Sequence, residues 1–495
     1  MSGFCKYYKQ KKQVSYDNGV TWQDVTPYEY QEGDLYERNS TDCGYQVVER
    51  WVVVSGDYEC SGTTKYTKER KEISYDGGTT WAQTSDYRRG STVIAYNSED
   101  CGYVPPTDYS AQYLTFVALE DCSFYLSGDN RAEIYYSLDS GTTWTQGSYS
   151  VIPTVSAGNK ILWKGELLPH STVGSFSCIG VFVSTGRFNV EGNLSSILKP
   201  INFSENTETS SFRFLFRNCN GLINAKNMVF PSSVENDCYL DMFSGCTSLI
   251  TAPSVLPATT LSSQCYREMF DGCTSLTTAP VLSATTMAED ACRAMFAHCT
   301  SLTTAPELPA TTLAEKCYLD MFYGCTSLTT APELPATTLA NSCYEYMFAG
   351  CTSLTTAPEL PATVLSWKDG IYLKGTPGCY RAMFAGCTSL TTAPELPATA
   401  LVNYCYEYMF QNCTSLTTAP ILSATTLESH CYNGMFSGCT NLNNITCLAT
   451  DKTATNCTSN WVNGVAASGT FTKASSTTWR TGTSGIPDGW TVQDA

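Results

Sequence analysis

Acid–base or nucleophilic chemistry on this chain falls to few side chains. Histidine, whose ordinary pKa lies nearest neutrality, occurs only as His170, His298 and His430. They lie far apart, so no nucleophile–base pair is legible in the order of residues. The 25 cysteines offer metal or disulfide chemistry, yet CxxC is absent and three scattered histidines complete no zinc set. Carboxylates are abundant enough for a glycoside-cleaving pair. However, Glu307, Glu333, Glu359 and Glu395 recur at one phase of a repeat and read as a solvated acidic column, with at most weak calcium binding. No catalytic residue, metal site or cofactor is expected, and the chain reads as non-enzymatic.

Most cysteines belong to that repeat, clearest at 312–339, TLAEKCYLDMFYGCTSLTTAPELPATTL. Its marker phenylalanine recurs at Phe216, Phe243, Phe270, Phe296, Phe322, Phe348, Phe384, Phe410 and Phe436, with spacings of 27, 27, 26, 26, 26, 36, 26 and 26. One cysteine follows each marker, at Cys219, Cys246, Cys273, Cys299, Cys325, Cys351, Cys387, Cys413 and Cys439. Another precedes it at Cys238, Cys265, Cys317, Cys343, Cys379, Cys405 and Cys431. Units of this length cannot bury their apolar faces alone and stack on their neighbours. Equivalent small thiols then form buried columns, expected free rather than paired.

Within one unit, Thr312 and Glu315 make a capping box, and Leu313, Cys317 and Met321 recur at helical spacing with Phe322 beside them. Gly324 supplies the stop. The following SLTTAPEL reads as a short strand, ended near Ala331 by Pro332. The expectation is an α/β solenoid, leucine-rich-repeat-like, with a short parallel sheet plus helices. Tyr239, Tyr266, Tyr318, Tyr344, Tyr380, Tyr406 and Tyr432 form a column that reads as core packing, while Tyr346 and Tyr408 begin a second one. The 36-residue spacing comes from ten extra residues within 365–378, LSWKDGIYLKGTPG. Insertions in stacked repeats emerge as loops on one face. Trp367, Lys368, Tyr372 and Lys374 there, with Tyr346 and Tyr408, are the candidate ligand contacts.

Small all-β modules precede the repeats. Three segments satisfy Ser-x-Asp-x-Gly-x-Thr-Trp, carried by Asp17, Gly19 and Trp22, by Asp76, Gly78 and Trp81, and by Asp139, Gly141 and Trp144. Asp-Asn-Gly and Asp-Gly-Gly make tight hairpin turns, the carboxylate tying down the turn's own amides and the tryptophan packing beneath. The expected domains are β modules at 1–50 and 51–105, a β-sandwich-like domain at 106–200, the repeats at 201–447, and a cap with tail at 448–495.

The run MFxGCTSLTTAPELPATTLA, seen at 321–340, resembles the BspA-like leucine-rich repeats. Met321-Phe322, Gly324-Cys325, Ser327-Leu328 and Pro332 take the family's recurring places over about 211–447. Met replaces the family's usual Ala, and the period is longer. The resemblance implies adhesion to host or cell-surface material, as in surface proteins of gut and oral bacteria and in phages that infect Bacteroides. The tryptophan hairpins look like the Asp boxes of sialidase propellers, but three boxes cannot supply six blades.

A net charge of −17 disfavours nucleic acid and anionic membrane. The polar start MSGFCKYYKQKK predicts no signal peptide, and no apolar run is long enough to insert in a membrane. The combined expectation is an adhesion or receptor-binding protein of tail-fibre type on the exterior of a phage virion. Its solenoid would bind a cell-surface glycan or protein, and its N-terminal modules would dock to other virion or surface-assembly proteins. The alternatives are a structural or decorating virion protein and a bacterial cell-surface adhesin.

Overall fold

The computed structural model describes residues 5–14, 23–38, 48–61, 64–74, 81–95, 113–127, 132–147, 153–167, 180–197, 212–365 and 378–495. Two compact units divide the chain, Met1–Val104 and Pro105–Ala495. In the first, β1 (Cys5–Val14) pairs antiparallel with β2 (Gln23–Arg38). A second antiparallel sheet joins β3 (Val48–Ser61), β4 (Thr64–Ser74) and β5 (Ala82–Ala95) in that order. Its faces carry cation–aromatic pairs, with Arg50 4.0 Å from the Trp81 ring and Arg88 4.4 Å from that of Trp51. Cys60 in this unit is disulfide-bonded.

The second unit opens with short strands: β6 (Leu114–Ala118), β7 (Cys122–Ser127), β8 (Ala132–Ser137), β9 (Thr145–Gln146), β10 (Thr154–Val155), β11 (Lys160–Leu167), β12 (Val181–Ser184) and β13 (Phe188–Asn193). Alternation of buried and more open residues, as in β13 where Phe188, Val190 and Gly192 are buried and Asn189, Glu191 and Asn193 less so, is that of strands with one face in a core. β14 (Leu222–Val229), which lies inside the first repeat copy, adds in parallel to β13. The six-stranded order is β14-β13-β6-β11-β8-β9, beside a three-stranded sheet β10-β7-β12. Phe116, Phe124, Trp163, Phe182 and Phe188 fill the space between. This core runs into the repeats, because Phe216 stacks on Phe182 at 5.6 Å.

The expected α/β solenoid of helices and a parallel sheet is not what forms. Among the described residues the sole helical element is a four-residue 3₁₀ turn, Leu194–Ile197. The segment read as a helix is a chain of consecutive β-turns. In the copy around Phe322, every fourth residue has positive φ: Lys316 (55°), Asp320 (57°) and Gly324 (70°). Alternate N–H groups close local turns, Leu319 to Lys316 O (3.2 Å) and Met321 to Tyr318 O (3.2 Å). The intervening ones cross to the next copy, Tyr318 to Cys343 O (3.1 Å), Asp320 to Glu345 O (3.0 Å) and Phe322 to Met347 O (2.9 Å). An α-helix requires each N–H for its own i−4 carbonyl. Here half of them hold neighbouring copies together instead.

The expected sheet is also narrower than read. Thr304, Thr330, Thr356 and Thr392 make single parallel bridges to one another, and the capping residue Thr312 is itself bridged to Thr286. Between consecutive copies among the described residues from Phe243 to Phe436, only β15 (Val255–Leu256) and β16 (Val281–Leu282) pair as a two-residue ladder. What stands is the stacking itself. Marker rings lie parallel from Phe216–Phe243 (5.4 Å) to Phe410–Phe436 (5.8 Å). A parallel sheet of β17 (Asn444–Cys447), β18 (Thr470–Lys473) and β19 (Thr491–Asp494) follows the last copy. Trp461 covers the end, 6.2 Å from both Tyr432 and Phe436, with its indole N–H on Gly485 O (2.8 Å).

Candidate interaction site

Each turn ribbon sets two neighbouring side chains, three and two residues before the marker Phe, along one edge of the stack. In four consecutive copies these are Glu345 and Tyr346, Arg381 and Ala382, Glu407 and Tyr408, and Asn433 and Gly434. Tyr346, Ala382 and Tyr408 all hold positive φ, at 53°, 50° and 56°, because the fourth-residue turn period falls on that position. Small Ala382 leaves the Arg381 guanidinium room between two tyrosines, 5.3 Å from the Tyr346 ring and 5.8 Å from that of Tyr408.

Carboxylates hold the guanidinium from both sides. Arg381 Nη1 donates to Glu345 Oε1 (2.9 Å) and to the Tyr346 hydroxyl (2.9 Å), while Nε donates to Glu407 Oε2 (2.6 Å). Asn433 Nδ2 donates to Glu407 Oε1 (2.7 Å) and the Tyr408 hydroxyl (3.3 Å). Glu345 and Glu407 are buried and Arg381 nearly so, so this network is charge-assisted and largely screened from water. Burial pushes the Glu345 carboxyl up, while hydrogen bonds from Ser342 and Arg381 pull it back. The result is a fixed ledge of two half-buried tyrosines around an arginine. Its polar groups are already paired, which suits recognition rather than proton transfer.

In sequence, the ten-residue insertion falls between Tyr346 and Arg381. The described chain resumes at Gly378, where an added Cβ would lie 3.1 Å from Arg381 Cβ. Trp367, Lys368, Tyr372 and Lys374 lie outside the described residues. Tyr346 and Tyr408 are thus the two candidate contacts placed together. Arg381, Glu345, Glu407 and Asn433 were missed, although the run of Glu, Arg, Glu and Asn at one phase is readable where Leu240 and Leu319 stand in other copies.

The other candidates are structural. The seven tyrosines of the main column are buried. The eight markers from Phe243 to Phe436 are fully buried, and each cysteine three residues on is a free, buried thiol. Each of these thiols donates to the preceding copy's marker carbonyl, as in Cys325 Sγ to Phe296 O (3.0 Å) and Cys439 Sγ to Phe410 O (2.9 Å).

Of the hairpins, the turns at Asp17, Gly19 and Trp22 and at Asp76 and Gly78 lie outside the described residues, while Trp81 is half-buried. The third is ordered by its own side chains. Asp139 accepts from Thr143 Oγ1 (2.6 Å), Thr143 N (2.8 Å) and Ser137 Oγ (2.7 Å), which hold its carboxyl down at about 2. Gly141 takes positive φ (88°), and Trp144 Nε1 donates to Gly141 O (3.1 Å).

Two of the histidines, His298 and His430, lie among the described residues. His298 Nδ1 lies 2.9 Å from Asp271 on the surface. His430 Nδ1 lies 2.8 Å from Ser429 Oγ of the preceding residue. That hydroxyl also reaches Thr455 O (3.3 Å), and the Asn456 amide occupies the other ring nitrogen (3.0 Å). No group of three His, Cys, Asp or Glu among the described residues could hold a metal ion. Nor is any helix there long and apolar enough to cross a membrane.

Residues 266–372 and 380–462 match, in six copies, the family described as the BspA type leucine rich repeat region. No curated protein and no solved structure matches the chain. The match lies in the second half of the chain and gives neither the Asp-box nor the phage and virion readings any support, while the turn ribbons and single bridges replace the expected helix-and-sheet solenoid. With the ledge geometry, it supports a non-enzymatic protein with an interaction role.

Proposed function

We propose that this protein is an adhesin that binds a cell-surface protein through the Tyr346–Arg381–Tyr408 ledge and the insertion that falls in sequence between Tyr346 and Arg381. One observation carries this reading. The repeat of 26 or 27 residues lengthens to 36 only where two tyrosines sandwich an arginine, and tyrosine and arginine are the residues enriched in the energetic centres of interfaces. A ledge already rigid before contact loses little side-chain freedom on binding. Met1–Val104, a separate compact unit, is the part we assign to attachment in a surface assembly at the bacterial cell surface.

The test is binding of fluorescent protein to cells bearing candidate ligands, before and after the cells are treated with protease or glycosidase. Tyr346→Ala with Tyr408→Ala, and separately a deletion of 367–376, should each weaken binding at least about tenfold. Protease treatment of the cells should abolish it. Unchanged binding by both variants removes the ledge from the account, and loss after glycosidase alone makes the ligand a glycan.

A further inference from the structure

We propose that the fourth copy encloses a ring-sized pocket that takes up a small planar aromatic molecule of the phenol class. The inference is independent of the ledge. Through most of the stack the buried tyrosines form a continuous column, with centroids 5.7 Å apart at Tyr239–Tyr266, 6.0 Å at Tyr318–Tyr344, 5.9 Å at Tyr344–Tyr380 and 5.8 Å at Tyr380–Tyr406. Between Tyr266 and Tyr318 the ring is missing. Cys292 holds that slot: its N–H donates to Cys317 O (3.0 Å) just as that of Tyr318 donates to Cys343 O (3.1 Å). Its neighbour Ala291 stands where Cys317 stands in the next copy, so two adjacent buried positions are short of atoms. Met287 replaces the equivalent Leu313 and adds no heavy atom.

The backbone does not close over this deficit. Phe270–Phe296 and Phe296–Phe322 remain 5.5 and 5.7 Å apart, as elsewhere in the marker column. The cross-copy bonds Tyr266 N–H to Ala291 O (2.9 Å) and Phe296 N–H to Met321 O (2.9 Å) fix the spacing from both sides. Ala291, Cys292 and Tyr266 are all buried. A rigid, close-packed scaffold cannot collapse into a vacancy of this kind, and apolar vacancies in such cores take up small aromatics.

The walls select the guest. Tyr266 and Tyr318 stand two column steps apart, room for one further ring at the column's own spacing. The Tyr266 hydroxyl is buried without a hydrogen-bond partner, and Cys292 is among the groups that act on it electrostatically. Tyr239 and Tyr406 share that orphaned state, but of these three only Tyr266 adjoins the missing ring. A guest with a flat face and one hydroxyl therefore satisfies both the stacking surfaces and the unpaired oxygen.

The experiment measures the melting midpoint of the full chain with and without phenol, using cyclohexanol as a puckered control of similar size. Cys292→Tyr and Cys292→Phe supply the missing ring from within. Phenol should raise the wild-type midpoint by several degrees and cyclohexanol should do so much less. Both variants should melt above wild type and lose the phenol response; if one does not fold, the other decides. The pocket is overturned if phenol leaves wild type unmoved, if the variants respond as wild type does, or if filling the slot lowers the midpoint. Equal shifts from phenol and cyclohexanol overturn the aromatic selectivity.

Discussion

The cysteine column shows what a single side chain contributes that its hydrophobicity does not. Cys325 is small enough for a close-packed seam and still donates a hydrogen bond to the previous copy's Phe296 carbonyl (3.0 Å). That carbonyl also receives the Cys299 N–H (3.2 Å), so removing the thiol leaves no orphan. Cys325→Ala should therefore cost about 1–2 kcal/mol rather than the larger figure of a broken buried pair, read as a lower urea midpoint at unchanged slope. Burial pushes Cys325, Cys317 and Cys439 up to about 12. At pH 8 they stay protonated, and an alkylating reagent should label them only after unfolding. Their phase was legible in the sequence; their hydrogen bonds were not, because the acceptor lies in another copy. Asp320 behaves oppositely to an ordinary surface acid. Burial raises its carboxyl to about 6 from an ordinary 3.8, with Glu345 and Glu268 adding to the rise and Arg293 and His298 opposing it. The folded state holds the proton more tightly, so this contribution is fully present below about pH 4 and lost as pH rises through 6. The loss is at most about 3 kcal/mol. Asp320→Asn should flatten the urea midpoint between pH 4 and 7 and raise it at pH 8.

At the level of elements, the turn ribbon explains why a helix was legible and wrong. Cys317 and Met321 are four residues apart, which fits a 3.6-residue helix and a four-residue turn equally well. Positive φ at Lys316, Asp320 and Gly324 decides between them, and only glycine advertises that conformation in sequence. Far-UV circular dichroism should accordingly show no helical double minimum. Gly350 tests the backbone directly: it holds φ 76°, and an added Cβ would sit 3.5 Å from Gly324 Cα, an ordinary contact. Gly350→Ala should then cost about 1 kcal/mol from its conformation alone, and β-branched Gly350→Val distinctly more. Ribbons are also tied by charge. Arg381→Ala would strand the buried carboxylates of Glu345 and Glu407 and should cost about 3 kcal/mol, since breaking a buried pair leaves uncompensated charge. Adding Glu345→Gln and Glu407→Gln should recover most of that loss in denaturant unfolding.

For the whole second unit, the period is the property the sequence expressed most openly, because every copy must repeat its neighbours' hydrogen-bonding phase. Period alone does not reveal how the ends are sealed. Phe216 is received by Phe182 and Phe116 at one end, and Tyr432 and Phe436 by Trp461 at the other. Phe116 and Phe182 lie outside the repeat, and the Trp461 ribbon, though it keeps the positive-φ rhythm at Asn456, Asn460 and Gly464, carries no marker phenylalanine, so the marker spacing announces neither closure. If stability is mainly a sum of equal copies plus two sealed ends, removing one copy should be tolerated where removing a seal is not. Deletion of 313–338 joins Thr312 to Leu339 and preserves both the 26-residue phase and the partners of each cross-copy N–H. It should leave a folded, soluble chain with a modestly lower midpoint. Trp461→Ala removes one side chain but opens the end of both ring columns and strands Gly485 O, at a cost of about 3–5 kcal/mol. Chemical denaturation should rank the point substitution as the more damaging. The reverse order would mean that the interior copies, rather than the seals, hold the stack together.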